Sequence, residues 1–351
     1  MKQQYPDVVL KGRDLFDASL FRDATSTSVF YTFISQLKRS IDSASPSATH
    51  HFIKTLDEKG KLLRSYTQNI DGLESRAGLI GSSSQEVKKS GKGKSKINVK
   101  EVRNVQLHGD IHRVRCTFCS IEYPCTHVHL EKFSDGLPPQ CPECFERCGL
   151  AFFFKFFFCT MKADLGSDYI AEARVARSAR ALKIGTLRPA IVLYDEPHPL
   201  GDDIGMIQTA DMARKPDMLI VMGTSLKVHG LKRLVKDFAK SVHASGGSPS
   251  SSVKKAKSFW GKVVFVNRTA PGSEWADIID YHVAGDTDVW VKRVVRDWKK
   301  MRPADWEVQQ TLSVNDGDVG MSGGFKVVKK ATGGVKGKGD GMFYYCMILK
   351  R

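Results

Sequence analysis

Apolar residues recur at three- and four-residue spacing through Val29, Phe30, Phe33, Ile34, Leu37 and Ile41. That period predicts an amphipathic helix over 26–41, capped by Thr25 or Ser26. A second helix is expected after Pro46, with Phe52, Ile53 and Leu56 inward and Gly60 ending it. Lys61 to Tyr66 reads as a strand and runs straight into the polar octapeptide T-Q-N-I-D-G-L-E, residues 67–74. Val105-Gln106-Leu107 is a short apolar strand stopped by His108-Gly109. Ala190 to Tyr194 is a further buried strand, terminated by the prolines after Glu196. Asp217 to Met222 is another, followed by Gly223-Thr224-Ser225 and a helix from Leu231. Lys262 to Val266 ends in Asn267, and Ala284 to Asp288 leads into a last helix holding Val289, Trp290, Val294 and Trp298. Strand, polar loop and helix alternate in this way several times. The fold class expected is α/β, a Rossmann-like parallel sheet with helices on its faces and ligand loops on one edge.

Four segments follow from this pattern. Residues 1–104 form a first part of the sheet domain and include a mobile Gly/Ser/Lys-rich loop at 81–100. Residues 105–186 hold the His108 strand and a cysteine-rich module, with a phenylalanine-rich insert at 150–168 and a helix from Tyr169 to Leu182. The sheet domain resumes over 187–300, and 301–351 reads as a low-complexity basic tail, Gly/Lys-rich from Thr311 onward. The net charge of +16 favours polyanions or a chromatin setting. Much of that charge sits in the two loose tracts, however. The first carries no interleaved aromatic residues, so a solvated loop outweighs a nucleic-acid groove.

Six of the eight cysteines fall between Cys116 and Cys148 in a chain whose opening M-K-Q-Q-Y-P-D-V-V-L has no apolar core. Metal, not disulfides, is the expected use, and a soluble intracellular protein the expected setting. No apolar run approaches the roughly 20 residues of a membrane span. Cys116, Cys119, Cys141 and Cys144 give C-x2-C-x21-C-x2-C, the spacing of a structural zinc site. Four thiolates leave no coordination position for water, so such an ion holds a module together and does no catalysis. Cys125, Cys148, His127 and His129 are spare candidates.

His108 stands where open α/β folds put their chemistry, and an imidazole suits acid–base work near neutrality. Gln68, Asn69 and Asp71 follow a strand end, where amides can serve ribose hydroxyls and a carboxamide. The alternative is an Asx-turn of Asn69 and Asp71 over Gly72. Gly223-Thr224-Ser225 between strand and helix can cradle phosphate through amides and hydroxyls.

Taken in order, T-Q-N-I-D-G-L-E, L-H-G, the two cysteine pairs, R-P-x-I-V-L-Y-x-E, M-G-T-S-L-x-V, V-N and G-D-x-D resemble the sirtuins, NAD-dependent protein lysine deacylases. The wording L-K-G-R-D-L-F-D-A-S-L-F-R-D is similar to the fungal nuclear branch that acts on histone H3. The resemblance covers roughly residues 11 to 300 apart from inserts. It implies that His108 is the general base, taking a proton from a ribose hydroxyl. Gln68, Asn69 and Asp71 would line nicotinamide and its ribose. Gly223, Thr224 and Ser225 would hold phosphate and adenosine ribose, Asn267 that ribose, and Asp286 and Thr287 the adenine edge. Val192 and Tyr194 would form the acyl-lysine tunnel and pair with the substrate backbone. The acyl oxygen would attack the ribose carbon and expel nicotinamide, leaving O-acetyl-ADP-ribose and free lysine. NAD and structural zinc are the cofactors implied, acetylated histone in nuclear chromatin the partner.

Two departures from the pattern are expected to matter. The sirtuins' opening G-A-G-I-S loop, the P-D-F-R after it and the first strand have no counterpart here, and Asp195 stands where the family usually has glycine. A catalytically impaired zinc-containing chromatin scaffold and a mono-ADP-ribosyltransferase are the rival readings.

Overall fold

The computed structural model describes residues 12–82, 99–147, 184–245, 262–307 and 345–349. The helices are α1 (Ala24–Ser43), α2 (Ala48–Glu58), α3 (Leu73–Arg76), α4 (His127–Ser134), α5 (Pro142–Arg147), α6 (Gly201–Ala213), α7 (His229–Ser245) and α8 (Thr287–Met301). The strands are β1 (Leu62–Thr67), β2 (Asn104–Gln106), β3 (Gly109–Cys116), β4 (Glu122–Pro124), β5 (Leu187–Ile191), β6 (Met218–Met222), β7 (Lys262–Asn267), β8 (Tyr281–Ala284) and β9 (Tyr345–Leu349). The phenylalanine-rich insert, the Tyr169–Leu182 helix and most of the lysine-rich loop lie outside the described residues.

Six strands make one sheet in the order β2-β1-β9-β6-β7-β8. The pairs β1–β2, β6–β7 and β7–β8 are parallel, so their carboxyl ends open on one edge. Both faces are covered, which is why β6 reads M-L-I-V-M without alternation. Leu219 and Val221 pack with Leu234 and Phe238 of α7 on one face. Ile220 and Met222 pack with Phe52 and Ile53 of α2 and Val291 of α8 on the other. The Rossmann-like α/β expectation holds.

Two expectations are corrected. The strand expected at Ala190–Tyr194 spans Leu187–Ile191 and belongs to a separate three-stranded sheet, β4-β3-β5, antiparallel throughout. With α1, α4 and α5 this sheet builds the cysteine module. Tyr31 of α1 stacks on Phe133 of α4 at 5.0 Å and donates from its hydroxyl to the Leu187 carbonyl at 3.1 Å. The end of the basic tail is also not loose. Tyr345–Leu349 runs antiparallel between β1 and β6, with Tyr345 in register with both Thr67 and Met222. The central position of the sheet is thus filled, because buried strand edges need partners for their N–H and C=O groups. A smaller correction concerns α1. Its cap is Asp23, whose carboxylate accepts from Ser26 N–H at 2.8 Å.

Beneath the sheet lies a buried ion pair. Arg64 of β1 donates from Nε and Nη2 to Asp211 of α6 at 2.9 and 2.8 Å. Tyr66 donates to the same carboxylate at 2.8 Å. The guanidinium also reaches the carbonyls of Val99, at 3.0 Å, and Val102. Both side chains are 2% exposed or less, so loss of one leaves the other charge unpaired in the core. Asp211→Ala is expected to cost about 3–5 kcal/mol in urea unfolding, and a loss below about 1 kcal/mol would show that the pair is not a keystone.

Candidate functional site

The loops after β1, β2, β6, β7 and β8 meet at the carboxyl edge of the sheet. The loop after β1 begins at Gln68, and the one after β2 carries His108. The His108 Nδ1 lies 3.0 Å from the Gln68 carbonyl oxygen. A carbonyl only accepts, so Nδ1 holds the proton and Nε2 keeps its lone pair. Burial pushes the His108 pKa below its ordinary value, against the pull of the Gln68 carbonyl. His108 is thus a neutral imidazole with one fixed tautomer and a basic nitrogen. The Gln68 Oε1 accepts from the Thr224 hydroxyl at 3.2 Å, which ties the loop after β1 to that after β6. Thr224 in turn accepts from Leu226 N–H at 3.2 Å, and Gly223 takes a positive φ of 69° to make the turn. Ser225 beside it is exposed.

The Asx-turn and the ligand loop are the same structure. Asp71 Oδ1 accepts from Leu73 N–H at 3.1 Å over Gly72, whose φ is 65°. The Asn69 amide nitrogen, in contrast, is buried without a hydrogen-bond partner among the described residues. An unpaired buried amide is costly and fits a site awaiting a polar ligand. A cleft of about 340 Å³, lined by Gly72, Ser75, Arg76, Asp110 and His112, opens beside this turn. His112, which sequence reasoning missed, holds it from below through Nε2 on the Asp71 carbonyl at 2.8 Å.

Other expected site residues are already engaged. The Asn267 amide donates to the Thr269 carbonyl and hydroxyl, both at 3.0 Å. Asp286 caps α8 through Asp288 N–H at 2.8 Å and pairs with Arg268 at 2.8 Å, which keeps its pKa low. Thr287 is buried against the Thr49 hydroxyl at 3.1 Å. Val192 donates its N–H to the His108 carbonyl at 3.0 Å. Tyr194 has both backbone groups spent, N–H on the Phe16 carbonyl at 2.8 Å and C=O on Ala18 N–H at 3.3 Å. The expected pairing of a substrate backbone at Tyr194 therefore meets an edge taken by the chain's own 16–18 segment. Asp195 has a φ of 65°, the left-handed region that favours glycine. His198, also missed, is kept neutral, its pKa lowered to about 4 by burial and by Arg115 and His108 nearby.

Cys116, Cys119, Cys141 and Cys144 place their sulfurs within 4.8 Å of one another. Cys116 and Cys144 are 3.7 Å apart, Cys119 and Cys141 3.6 Å. A tetrahedral zinc with bonds of about 2.3 Å needs thiolates about 3.8 Å apart, so the residues fit the ion. Phe118 N–H and Cys119 N–H both point at the Cys116 sulfur at 3.3 Å, satisfying charge on the thiolate. Among the described residues the spare candidates are not in the cluster, and Cys148 lies outside the described residues. Cys125 stands apart, and His129 caps α4 from its own side chain.

A largely parallel sheet, a crevice at its carboxyl edge and a four-cysteine module define a class, and the chain belongs to the Sir2 family, whose model matches residues 3–88 and 94–230. Among its relatives is the NAD-dependent histone deacetylase HST3 of Candida albicans, 38% identical over 83% of this chain and 53% of the relative. HST3 of Saccharomyces cerevisiae, an NAD-dependent histone deacetylase, is 36% identical over 81% of this chain and 55% of the relative. The chain thus spans about half the length of the curated relatives it matches. The crystal structure of a Sir2 homologue–NAD complex has the same fold, with a TM-score of 0.51 at 20% identity over 83% of this chain and 78% of that one.

Two outcomes test this geometry. Purified protein is expected to carry stoichiometric zinc, and Cys144→Ser or a strong chelator should release it and lower Tm; soluble, folded, zinc-free protein would remove the metal. Asp195→Gly should leave stability equal or raise it by up to about 1 kcal/mol, whereas Asp195→Val should lower it by about 1–2 kcal/mol, read by thermal unfolding.

Proposed function

We infer that the protein is an NAD-dependent protein lysine deacetylase acting on acetylated histone in the nucleus. The observation that carries this reading is His108: a neutral imidazole at the sheet edge, its Nδ1–H committed to the Gln68 carbonyl and its Nε2 left basic. NAD, when bound, would supply an electrophilic ribose carbon and a nicotinamide leaving group. The chain's own part is to hold the ligand and move one proton. Asn69, with its unpaired buried amide, has the chemistry to bind a carboxamide. Gln68 and Thr224, joined by their hydrogen bond, set the distance between the loops that would bind the two halves of the dinucleotide. His108 Nε2 would accept the ribose hydroxyl proton. The zinc fit of the four thiolates supports a structural role, holding β3, and with it His108, in place. The histone target is supported by relatives that are NAD-dependent histone deacetylases. No helix among the described residues is long and apolar enough to cross a membrane.

One observation favours the scaffold reading. β9 fills the middle of the sheet antiparallel, bringing Tyr345 to the edge at the point where the strand order reverses. Open α/β sheets bind nucleotides at that point. Nicotinamide release that depends on acetylated histone peptide would support the deacetylase. Labelled ADP-ribose appearing on protein would support the transferase, and peptide binding without NAD turnover the scaffold.

His108→Ala is expected to lower turnover by roughly 10²–10⁴-fold with zinc content and Tm nearly unchanged. The sign of the pH dependence follows from the lowered pKa of His108. A base must be unprotonated, so the acid limb of kcat/KM should lie below the ordinary histidine value of 6.5. A folded His108→Ala protein with near-normal turnover would take His108 out of the mechanism.

A further inference from the structure

The octapeptide ends in a residue for which the chemistry above has no use. Glu74, on the single turn of α3, is fully buried. Neither of its carboxyl oxygens has a hydrogen-bond partner among the described residues. One turn earlier, across the loop, stands Asp71. A carboxylate oxygen of each, together with a ring nitrogen of His50, lies within 4.8 Å of the others.

Such a trio could hold a divalent cation, but the imidazole rules against it. Ser47 N–H donates to His50 Nδ1 at 3.0 Å. A backbone N–H can only donate, so the imidazole proton sits on Nε2 and neither nitrogen has a lone pair free for a metal. Nor does His50 supply positive charge. Burial lowers its pKa to about 4, outweighing the attraction of Asp288. Two ionised carboxylates this close in a buried site, without a cation between them, repel each other, and such pairs retain a proton.

We propose that Glu74 is a positioning residue for Asp71: it faces that carboxylate as the neutral acid, so that the pair carries one negative charge, held on Asp71. The inference rests on the reading of the 68–71 loop as the nicotinamide side of an NAD site. Burial raises the pKa of Asp71 as well, but Leu73 N–H donates to it and His112 and Arg76 are near enough to attract its charge, all opposing the rise. Of the two carboxyls Asp71 is therefore the one that keeps the charge. Glu74 has no cation near it among the described residues to do the same. Burial, then the Asp71 charge, pushes its pKa up to about 7, with the Thr67 hydroxyl and its own backbone opposing and Asp110 adding to the rise. The charged and titratable groups around the pair are therefore His50 from α2, Arg76 from α3, and Asp110 and His112 from β3. Asp42 of α1 stands behind them, 3.3 Å from Arg76 and 3.8 Å from His112. A second charge on Glu74 would push Asp71 away from Leu73 N–H. That would loosen the turn holding the unpaired Asn69 amide.

The test compares wild type, Glu74→Gln and Glu74→Ala in the whole protein. One arm measures Tm against pH without ligand. A carboxyl group whose folded pKa is raised binds more protons folded than unfolded, so its contribution falls as pH rises from about 4.5 to about 7. Wild type should lose stability across that window relative to Glu74→Gln, which cannot ionise. The two should coincide on the acid side and differ by on the order of 5 °C above neutrality, Glu74→Gln being higher. The other arm measures NAD-dependent nicotinamide release with acetylated histone peptide. In wild type KM for NAD should climb above about pH 7, and Glu74→Gln should abolish that climb. Glu74→Ala, which leaves a hole beside Asp71, should raise KM several-fold at every pH, with kcat changed less. If Glu74→Ala does not fold, the comparison of Glu74→Gln with wild type decides alone. Glu74→Gln tracking wild type in both arms would overturn the proposal, as would Glu74→Gln being the less stable protein above neutrality. Were wild type to turn over no NAD, the deacetylase reading would fall, and the Tm arm would still support or overturn the neutral Glu74.

Discussion

The Arg64–Asp211 pair is the constraint on which the site depends. One guanidinium joins β1, α6 and the residues just before β2, through a bidentate ion pair and two backbone carbonyls. Those segments precede the two loops that matter most. β1 delivers Gln68, Asn69 and Asp71, and β2 delivers His108. The separation of these loops is thus set from the core, several residues before either begins. Desolvating an ion pair is expensive, and a hydrophobic replacement of the same shape is often as stable. What the pair provides that an apolar contact would not is direction: five donors in a fixed fork allow one arrangement of the elements around them.

A second constraint comes from the cysteine module. β3 starts at Gly109, immediately after His108, and pairs with β5. The φ at Gly109 is 81°, and a Cβ there would run into the Ala190 carbonyl. The glycine beside a catalytic-type histidine suggests, in the sequence, room for a ligand to approach. In the structure the close neighbour is the chain's own β5 backbone. His108 is therefore held from both sides. Its carbonyl takes the Val192 N–H, and its Nδ1 is bound to Gln68. The four thiolates close the far end of β3, so a metal held there would fix the strand that begins beside His108.

Elements with strong local patterns were legible in the sequence. α1, α2, β1, β6, β7 and α8 follow directly from periodicity, and the cysteine spacing matches the cluster found. What escaped has a physical reason in each case. β3 mixes buried and half-buried residues without regular alternation in a basic stretch, G-D-I-H-R-V-R-C, where Arg113 and Arg115 are held by Glu122 from the neighbouring strand. Nothing local signals that pairing. β5 shows the apolar run of a central strand, yet its Pro189 lacks an N–H, and its ladder with β3 is irregular between Asp110 and Val114. β9 was misread because five residues at the end of a Gly/Lys-rich stretch carry little pattern of their own. Their place is decided by the vacant edges of β1 and β6, about 280 residues earlier for β1 by the numbering of their register partners.

Site residues divide along a similar line. Sequence shows which side chains stand at strand ends, and the structure shows whether their polar atoms are free. Asn267, Asp286 and Thr287 are polar groups at the right edge whose side chains are occupied by Thr269, Arg268 and Thr49. Any ligand contact at these positions falls to backbone groups or requires an exchange of partners. Asn69 and His108 are different in kind, since among the described residues each keeps a polar atom uncommitted while sitting in buried surroundings. A buried polar group without a partner lowers stability, so its retention at the mouth of the sheet is what the proposed ligand site calls for. Glu74 also keeps its carboxyl oxygens without hydrogen-bond partners among the described residues, but its neighbour is Asp71 and not a ligand. It sits in the same octapeptide, hidden from pattern reading because it looks like the ordinary acidic residue of a helix's first turn.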